Sequence, residues 1–384
     1  MDNKFELDLT LLSKEFKLLL ELLKEDNEEG IQKNKQELFS DIDWEHFLYL
    51  ARHHRVYPLM YVRLKSMDKS LIPQEVIETL CSEYRRNTFQ MLQLSGEMER
   101  LNQLFHEHGI QLLLLKGPVI AQEIYGDISL RTSKDLDILI KEINLEKVEN
   151  VLLDLGYVRN GVQTILNERK WRHHHVSYFH PKKCIEIEIH WKIHPFPMKQ
   201  PSFDELWQRR RVTSLMGSSV CFLGKEDLFL YLIVHGARHG WFRLRWLKDI
   251  DQMFRRSMDF ERIYKFLEKY KYHIPYSQVR ILLSILLHTP MREKVKILTK
   301  EKQAEKLAEK AYIHIINSKQ QSYISSYLIS LETNSQRLLL IISSLYPCFK
   351  DVEIIKLPKY LHFLYFPLRP FLWTWRKTKH LISS

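Results

Sequence analysis

The stretch that decides the fold is LLLKGPVIAQEIYGDISLRTSKDLDILI, residues 113–140. Its apolar beginning belongs to residues 110–116, a run bounded by glycine that predicts a short buried strand. A short helix is predicted for residues 118–126, followed by a loop. Residues 135–140 then alternate acidic and apolar side chains before a further apolar pair, which predicts a second strand.

Asp135 and Asp137 are the first candidate functional residues. A spacing of two along a strand places both carboxylates on one face. Such acids repel each other unless a cation lies between them, and their apolar neighbours predict a buried strand in which uncompensated charge is costly. A divalent cation removes that cost, and oxygen ligands beside a phosphate substrate favour Mg²⁺. An exposed edge strand with an acidic outer face is the alternative.

A later segment, residues 184–191, is predicted to be a strand that again alternates acidic and apolar residues. Glu186 and Glu188 fall on the same face, so either could complete a carboxylate triad with the two aspartates. The third acid of such a site acts as general base on an attacking hydroxyl or shares the metal.

Lys116, Gly117 and Pro118 lie at the predicted junction of the first strand and the short helix. A glycine there allows phosphate oxygens to approach backbone amides at a helix N-terminus. Taken alone, the turn has an equally simple reading as an ordinary strand-to-helix connection.

Together these segments resemble the uncharacterised nucleotidyltransferase family of the polymerase-beta-like superfamily. The superfamily pattern is a glycine-serine turn, then two aspartates spaced by two on the next strand, then a third acid on a later strand. The matching positions are Gly117-Pro118, Asp135 with Asp137, and Glu188. Pro118 stands where serine is usual and removes a hydroxyl and a backbone N–H, so contacts to phosphate must come from elsewhere.

Further matches are typical of the family itself. Arg131 matches an arginine that shortly precedes the paired acids, and residues 188–191 match an acid-hydrophobic-His-Trp strand. The second match is the reason for choosing Glu188 over Glu186. A helical stretch at residues 235–250 also resembles the family, and the resemblance covers roughly residues 45–255.

The resemblance implies transfer of a nucleoside monophosphate from an NTP to an acceptor, with release of pyrophosphate. It implies that Asp135 and Asp137 hold Mg²⁺, or Mn²⁺ in its place, with Glu188 as third acid and metal ligand that helps to activate the acceptor. Lys116 and Arg131 are candidates to neutralise phosphate charge. The acceptor could be a small molecule, a peptide, a protein or tRNA, and the oligomeric state is left open.

Histidines supply weaker candidates. His235 and His239 are four residues apart on a predicted helix, and His239 with Arg243 is a candidate nucleotide contact. Zinc binding or simple helix packing are the alternatives for this pair. At residues 173–175 three histidines adjoin a predicted strand, where alternation of side chains disfavours a shared metal site.

The predicted fold class is α+β, a small mixed β-sheet nucleotidyltransferase core flanked by N- and C-terminal helical regions. The segments are 1–108, helical; 109–223, the α+β core; 224–348, helical; and 349–384, a basic aromatic tail. A polar stretch at residues 25–36 is interpreted as a linker.

Charge and composition limit the functional classes. The chain has 384 residues with a formal net charge of +11, which favours nucleotides, nucleic acid or anionic lipid as partners, or mere solubility. Four scattered cysteines without a CxxC pair favour a reducing compartment. No signal-peptide pattern and no apolar run long enough to span a bilayer is present, which predicts a cytoplasmic protein.

The tail mixes aromatic residues with Lys, Arg and Pro, so peripheral membrane contact through residues 350–384 competes with packing on the body. An enzyme is the leading functional class. A non-catalytic module that binds nucleotide or RNA and a toxin-like transferase acting on tRNA or protein are the alternatives.

Overall fold

The fold is seen in a computed structural model that describes residues 7–25, 27–68, 70–160, 174–215, 217–291, 301–317, 337–339, 342, 346–347 and 349–382. Helices predominate in these residues, and seven strands form one mixed sheet. The α+β class predicted from the sequence is confirmed. The three boundaries between the four segments stay predictions, and residue 348 at the last of them falls outside the described residues.

The chain before the sheet is helical. Its helices are α1 (Lys14–Leu23), α2 (Glu28–Lys33), α3 (Lys35–Phe39), α4 (Trp44–His53), α5 (Tyr57–Leu64) and the long α6 (Gln74–Glu107). The linker predicted for residues 25–36 is wrong, because α2 and α3 bury Ile31 and Phe39 in the core. Pro58 is the second residue of α5, a first-turn position that its missing N–H allows.

The sheet contains β1 (Leu112–Leu114), β2 (Asp135–Ile140), β3 (Val158–Arg159), β4 (His175–His180), β5 (Ile185–His190), β6 (Arg211–Leu215) and β7 (Ser218–Phe222). Their spatial order is β3-β4-β5-β2-β1-β7-β6. The two strands that carry the candidate acids, β2 and β5, are central neighbours and run parallel. The predicted strands at 135–140 and 184–191 are confirmed to within one residue.

Three described helices lie between the strands. They are α7 (Pro118–Tyr125) between β1 and β2, α8 (Leu145–Asp154) after β2, and α9 (Phe203–Gln208) before β6. The β6–β7 hairpin was not predicted from the sequence. Its signal is present, because two short runs with β-branched and aromatic residues flank Gly217, which has φ +92°.

Helices follow the sheet again. They are α10 (Lys225–Arg238), α11 (Leu244–Phe254), α12 (Phe260–Tyr270), α13 (His273–Leu286) and α14 (Glu301–Ile316), with α15 (Phe349–Ile354) and α16 (Tyr365–Ile382) in the tail. Gly240, with φ +61°, separates α10 from α11, so residues 235–250 belong to two helices. No described helix is both long and apolar enough to cross a membrane.

Candidate active site

The candidate acids converge on adjacent strands. In the parallel register of β2 and β5, Asp135 lies opposite Glu186 and Asp137 lies opposite Glu188. Alternation therefore places all four carboxylates on one face of the sheet. On the opposite face the apolar neighbours Leu136 and Ile187 are fully buried in the core. The burial of these strands fixes which face the acids occupy.

Asp137 is the most enclosed of these acids, with no exposed surface. Its Oδ1 accepts a hydrogen bond from Lys116 Nζ at 2.7 Å and lies 3.2 Å from Nε2 of His190. Burial alone would raise the pKa of Asp137, but the Lys116 ammonium and the His190 hydrogen bond hold it well below its usual range. Its second oxygen, Oδ2, is buried and has no hydrogen-bond partner among the described residues.

Asp135 behaves in the opposite way. Burial and then the charge of Asp137 raise the pKa of Asp135 to about 6, against the opposing influence of Lys116. Burial and the neighbouring charge of Asp137 thus both oppose the ionised form of Asp135. A further cation in the site would relieve this repulsion.

Glu188 reaches the aspartates through His190, whose Nε2 lies 3.1 Å from Glu188 Oε2. Burial opposes ionisation, yet this hydrogen bond lowers the pKa of Glu188. Glu186 instead accepts a hydrogen bond from Asn160 at 3.3 Å. The geometry supports the choice of Glu188 as third acid.

The residues present fit a divalent metal. Asp137, Glu188 and His190 each offer one ligand atom, and these atoms lie within 4.8 Å of one another. The buried, unpartnered Oδ2 of Asp137 is available to a cation, and a cation there would favour the ionised form of Asp135. His190 was not among the candidate ligands predicted from the sequence, although it stands in the strand that supplied the third acid.

The glycine turn lies against the beginning of β2. Gly117 has φ +90° and ψ −153°, a conformation that other residues rarely adopt. A Cβ at this position would lie 3.4 Å from the Leu136 side chain and 3.9 Å from the Asp135 carbonyl oxygen. Pro118 starts α7 directly afterwards. The predicted strand-turn-helix is therefore confirmed, with its turn beside Asp135.

Arg131 is buried, with 1% of its surface exposed. Its Nε donates to both carboxylate oxygens of Asp249 at 3.1 and 3.2 Å, and Asp249 also accepts from Tyr125 at 2.9 Å. Both Nη atoms of Arg131 are buried without a hydrogen-bond partner among the described residues. Arg131 is therefore part of an internal ion pair and does not lie on an open surface.

Arg245 and Arg55 approach the acids from the helical regions. The Arg245 guanidinium donates to the Thr132 carbonyl, and its charge favours the ionised form of Asp135. Burial and then the charge of Arg131 lower the pKa of Arg245 to about 9, which leaves it protonated at neutral pH. Burial also lowers the pKa of Arg55, which Asp135 partly restores. No local sequence pattern shows that Arg55 and Arg245 approach Asp135, because both lie far from it in the chain.

His239 and Arg243 lie in the connection between α10 and α11, just before Arg245. His239 is exposed, its ring lies 4.6 Å from that of His235, and it stacks on Trp246 at 5.2 Å. Burial lowers the pKa of Arg243 to about 10, so it too stays protonated. Among the described residues the pair His235 and His239 belongs to no group of three metal ligands.

His174 and His175 differ from the expectation for adjacent strand residues. His174 precedes β4, so alternation does not govern it, and its ring lies 4.5 Å from the ring of His175 and 5.5 Å from that of His190. Burial lowers the pKa of His174 strongly and that of His175 to about 4, so both rings are neutral at pH 7. His173 lies outside the described residues.

Comparison with known proteins gives one strong match. A family model for uncharacterised nucleotidyltransferases matches residues 40–288. No curated protein matches the chain significantly. Among solved structures, an antigenic nucleotidyltransferase-like protein from Paracoccidioides brasiliensis is 16% identical and aligns over 52% of this chain and 94% of its own, with a TM-score of 0.31. That structural likeness is too slight to support an argument. The family model, in contrast, spans well over half of the chain, which therefore belongs to the family of uncharacterised nucleotidyltransferases.

Proposed function

We propose that the protein is a metal-dependent nucleotidyltransferase, of the 2.7.7 class, that moves a nucleoside monophosphate from an NTP to an acceptor and releases pyrophosphate. The observation that carries the proposal is the parallel pairing of β2 and β5, which places Asp135, Asp137 and Glu188 together. Acids brought together at a buried face without enough compensating charge are typical of metal-assisted phosphoryl chemistry.

Asp135, Asp137 and Glu188 would hold the metal, Mg²⁺ or Mn²⁺, with His190 beside them. When bound, it would bridge phosphate oxygens and offset charge that develops during transfer. Glu188 has a lowered pKa and is ionised at neutral pH, so it is the proposed acceptor of the proton from the attacking group.

The basic side chains would bind the triphosphate. Lys116 lies 2.7 Å from Asp137 and is positioned to neutralise phosphate at the metal site. We also assign phosphate binding to Arg243 and His239, and we add Arg55 and Arg245. For Arg131 the buried pair with Asp249 supports an indirect contribution, in which it carries positive charge behind the phosphates. Gly117 would let phosphate approach the backbone beside Asp135.

Transfer of label from each of the four α-phosphate-labelled NTPs to cell extract, with Mg²⁺ or Mn²⁺, tests the proposal. Wild type should transfer label from at least one NTP, and EDTA should abolish the transfer. Glu188→Gln should reduce the rate by about 10²–10⁴-fold, the range that general-base catalysis contributes. Glu186→Gln is the matched control, because it lies on the same strand and face, and it should stay within about threefold of wild type.

Equal losses in the two glutamine variants would remove the assigned role of Glu188. Nucleotide binding without label transfer from any NTP would contradict the enzyme and favour the non-catalytic nucleotide- or RNA-binding module. Label found on tRNA or on a protein in the extract would identify that class of acceptor.

The tail supports a second proposal, peripheral contact with a membrane surface. In the tail several aromatic side chains are exposed, namely Tyr360, Phe363, Phe366, Phe371, Trp373 and Trp375. Aromatic residues mixed with Lys and Arg favour the interface of anionic lipid bilayers. The buried pair of Arg369 with Asp351 holds α16 against α15, which gives this surface a defined shape. A cytoplasmic location, in keeping with free Cys81, Cys184 and Cys221, belongs to the same proposal; Cys348 lies outside the described residues.

Co-sedimentation with vesicles checks the membrane proposal. The full chain should bind phosphatidylglycerol-containing vesicles, bind neutral vesicles less, and lose affinity as salt rises. Phe371→Ser with Trp375→Ser should weaken binding about tenfold or more, because burial of each aromatic ring contributes about 1.5–3 kcal/mol. Phe89→Ser, an equally exposed aromatic residue on α6, is the control and should not change it. Equal binding by the tail variant and wild type would contradict the proposal.

A further inference from the structure

Three histidine rings meet next to the carboxylates, at the edge where β4 joins β5. His175 lies directly opposite His190 in the antiparallel register, and their ring centroids are 4.8 Å apart. His174 is held in place by its backbone carbonyl, which accepts a hydrogen bond from the Trp191 amide at 3.0 Å. The sheet itself therefore brings the three imidazoles together.

The nitrogen atoms of these rings have the spacing of metal ligands. Nε2 of His174 lies 3.4 Å from Nδ1 of His175, close to the ~3.3 Å expected for two nitrogens bound at about 2.0–2.1 Å to one tetrahedral zinc. One ligand atom from each of His174, His175 and His190 lies within 4.8 Å of the others. Small ring rotations would close this set around one ion.

His190 has the hydrogen bonding that metal-bound histidines show. Its Nε2 lies between carboxylate oxygens of Asp137 and Glu188, at 3.2 and 3.1 Å, and therefore donates its N–H to them. In the neutral ring Nδ1 then carries a lone pair, and this atom is buried without a hydrogen-bond partner among the described residues. A carboxylate that orients a histidine in this way is the usual outer partner of a metal ligand.

We propose that His174, His175 and His190 form a second, nitrogen-rich metal site that binds a borderline divalent ion such as Zn²⁺. Imidazole suits Zn²⁺ and related transition metals, whereas Mg²⁺ prefers oxygen ligands. The active site would then hold a hard ion on the aspartates and a borderline ion on the histidines. The proposal does not depend on transferase activity.

Zinc binding to the full chain, stripped of metal by a chelator, tests this site. The titration is run against a chromophoric competitor in millimolar Mg²⁺, which occupies oxygen ligands. We expect one Zn²⁺ per chain, and His174→Gln with His175→Gln should weaken binding about 100-fold or more. His108→Gln with His180→Gln removes as many imidazoles elsewhere and should bind like wild type. Asp135→Asn should also retain the zinc.

Protection from diethyl pyrocarbonate, located by mass spectrometry, checks wild type without any substitution. Zn²⁺ should protect His174 and His175, and Mg²⁺ should not. The proposal is overturned if zinc binds equally to the His174/His175 variant, if Asp135→Asn alone abolishes binding, if millimolar Mg²⁺ displaces the zinc, or if neither histidine is protected.

Discussion

Asparagine at position 135 and asparagine at position 137 are expected to abolish nucleotidyl transfer alike, yet to change the stability of the metal-free protein in opposite directions. Each substitution removes a proposed metal ligand, and the loss of several kcal/mol of transition-state stabilisation corresponds to about 10³-fold in rate. The stability effects differ because the two carboxyls have different neighbours.

For Asp135→Asn we expect a gain in the free energy of unfolding. The folded-state pKa of about 6 lies above the ordinary value of 3.8, so the folded protein binds the extra proton and loses stability as pH rises through this window. A shift of about two units corresponds to about 3 kcal/mol as an upper limit at pH 7. Removing the charge should therefore raise the unfolding midpoint by a few degrees at pH 7 and by nothing below about pH 4.

For Asp137→Asn we expect a loss in the free energy of unfolding. The pKa of Asp137 is held down by Lys116 and His190, so its charge stabilises the fold above its unfolded pKa and this contribution is lost only as pH falls through the folded value. Asparagine leaves the Lys116 ammonium beside a neutral amide. Breaking a buried pair by removing one partner lowers stability by about 3–5 kcal/mol.

Thermal unfolding of the metal-free proteins between pH 4 and pH 8 measures both effects, with label transfer on the same preparations. Asp154→Asn, an exposed acid on α8, controls for the substitution itself and should stay near wild type. Destabilisation by Asp135→Asn at pH 7 would show that its carboxylate has a compensating partner. Stability of Asp137→Asn equal to wild type would show that Lys116 does not depend on it.

Strands with local signals were the predictable part of this fold. Asp135–Ile140 and the Glu188 strand alternate acidic and apolar side chains, and their bounds follow from that alternation alone. The short helices around Ile31 were not predicted, because their sequence is polar and long-range burial of a few apolar residues decides their structure. Tertiary packing overrides local propensity in such segments.

The residues of the candidate site also divide into those that could be predicted from the sequence and those that could not. The two aspartates, Glu188 and Gly117 could be found from spacing, because each is placed by the strand or turn that carries it. The approach of Arg55 and Arg245 to Asp135 could not, since Arg55 lies in the turn between α4 and α5 and Arg245 lies on α11. Hydrogen bonds from the Leu244 and Arg245 amides to His54 join these two segments. The close approach of the His174 and His175 rings was not predicted either. Side chains alternate only within a strand, and β4 begins at His175, so alternation does not fix the direction of His174.

Asp249→Asn is expected to destabilise the protein more than any surface substitution, by about 3–5 kcal/mol. The carboxylate of Asp249 is fully buried and accepts both hydrogen bonds that the Arg131 Nε makes. Without the charge of Asp249, Arg131 faces Arg245 and Arg55 with less compensation, and the charge of Arg131 already adds to the burial that lowers the pKa of both. Urea unfolding of wild type and variant measures the loss, again with Asp154→Asn as control.

A second substitution tests whether Arg131 serves only in the internal ion pair or also contributes to phosphate binding. Arg131→Met added to Asp249→Asn should recover part of the lost stability, because it removes the uncompensated buried charge. Tripolyphosphate should raise the unfolding midpoint of Asp249→Asn at least as much as that of wild type, since an anion that binds only the folded state stabilises it by mass action. Tripolyphosphate should raise the unfolding midpoint of the double variant less, because without Arg131 the positive charge near the phosphates is smaller. If the double variant responds to tripolyphosphate like wild type, Arg131 contributes nothing to anion binding, and the phosphate-binding role passes to Lys116, Arg55, Arg243 and Arg245 alone.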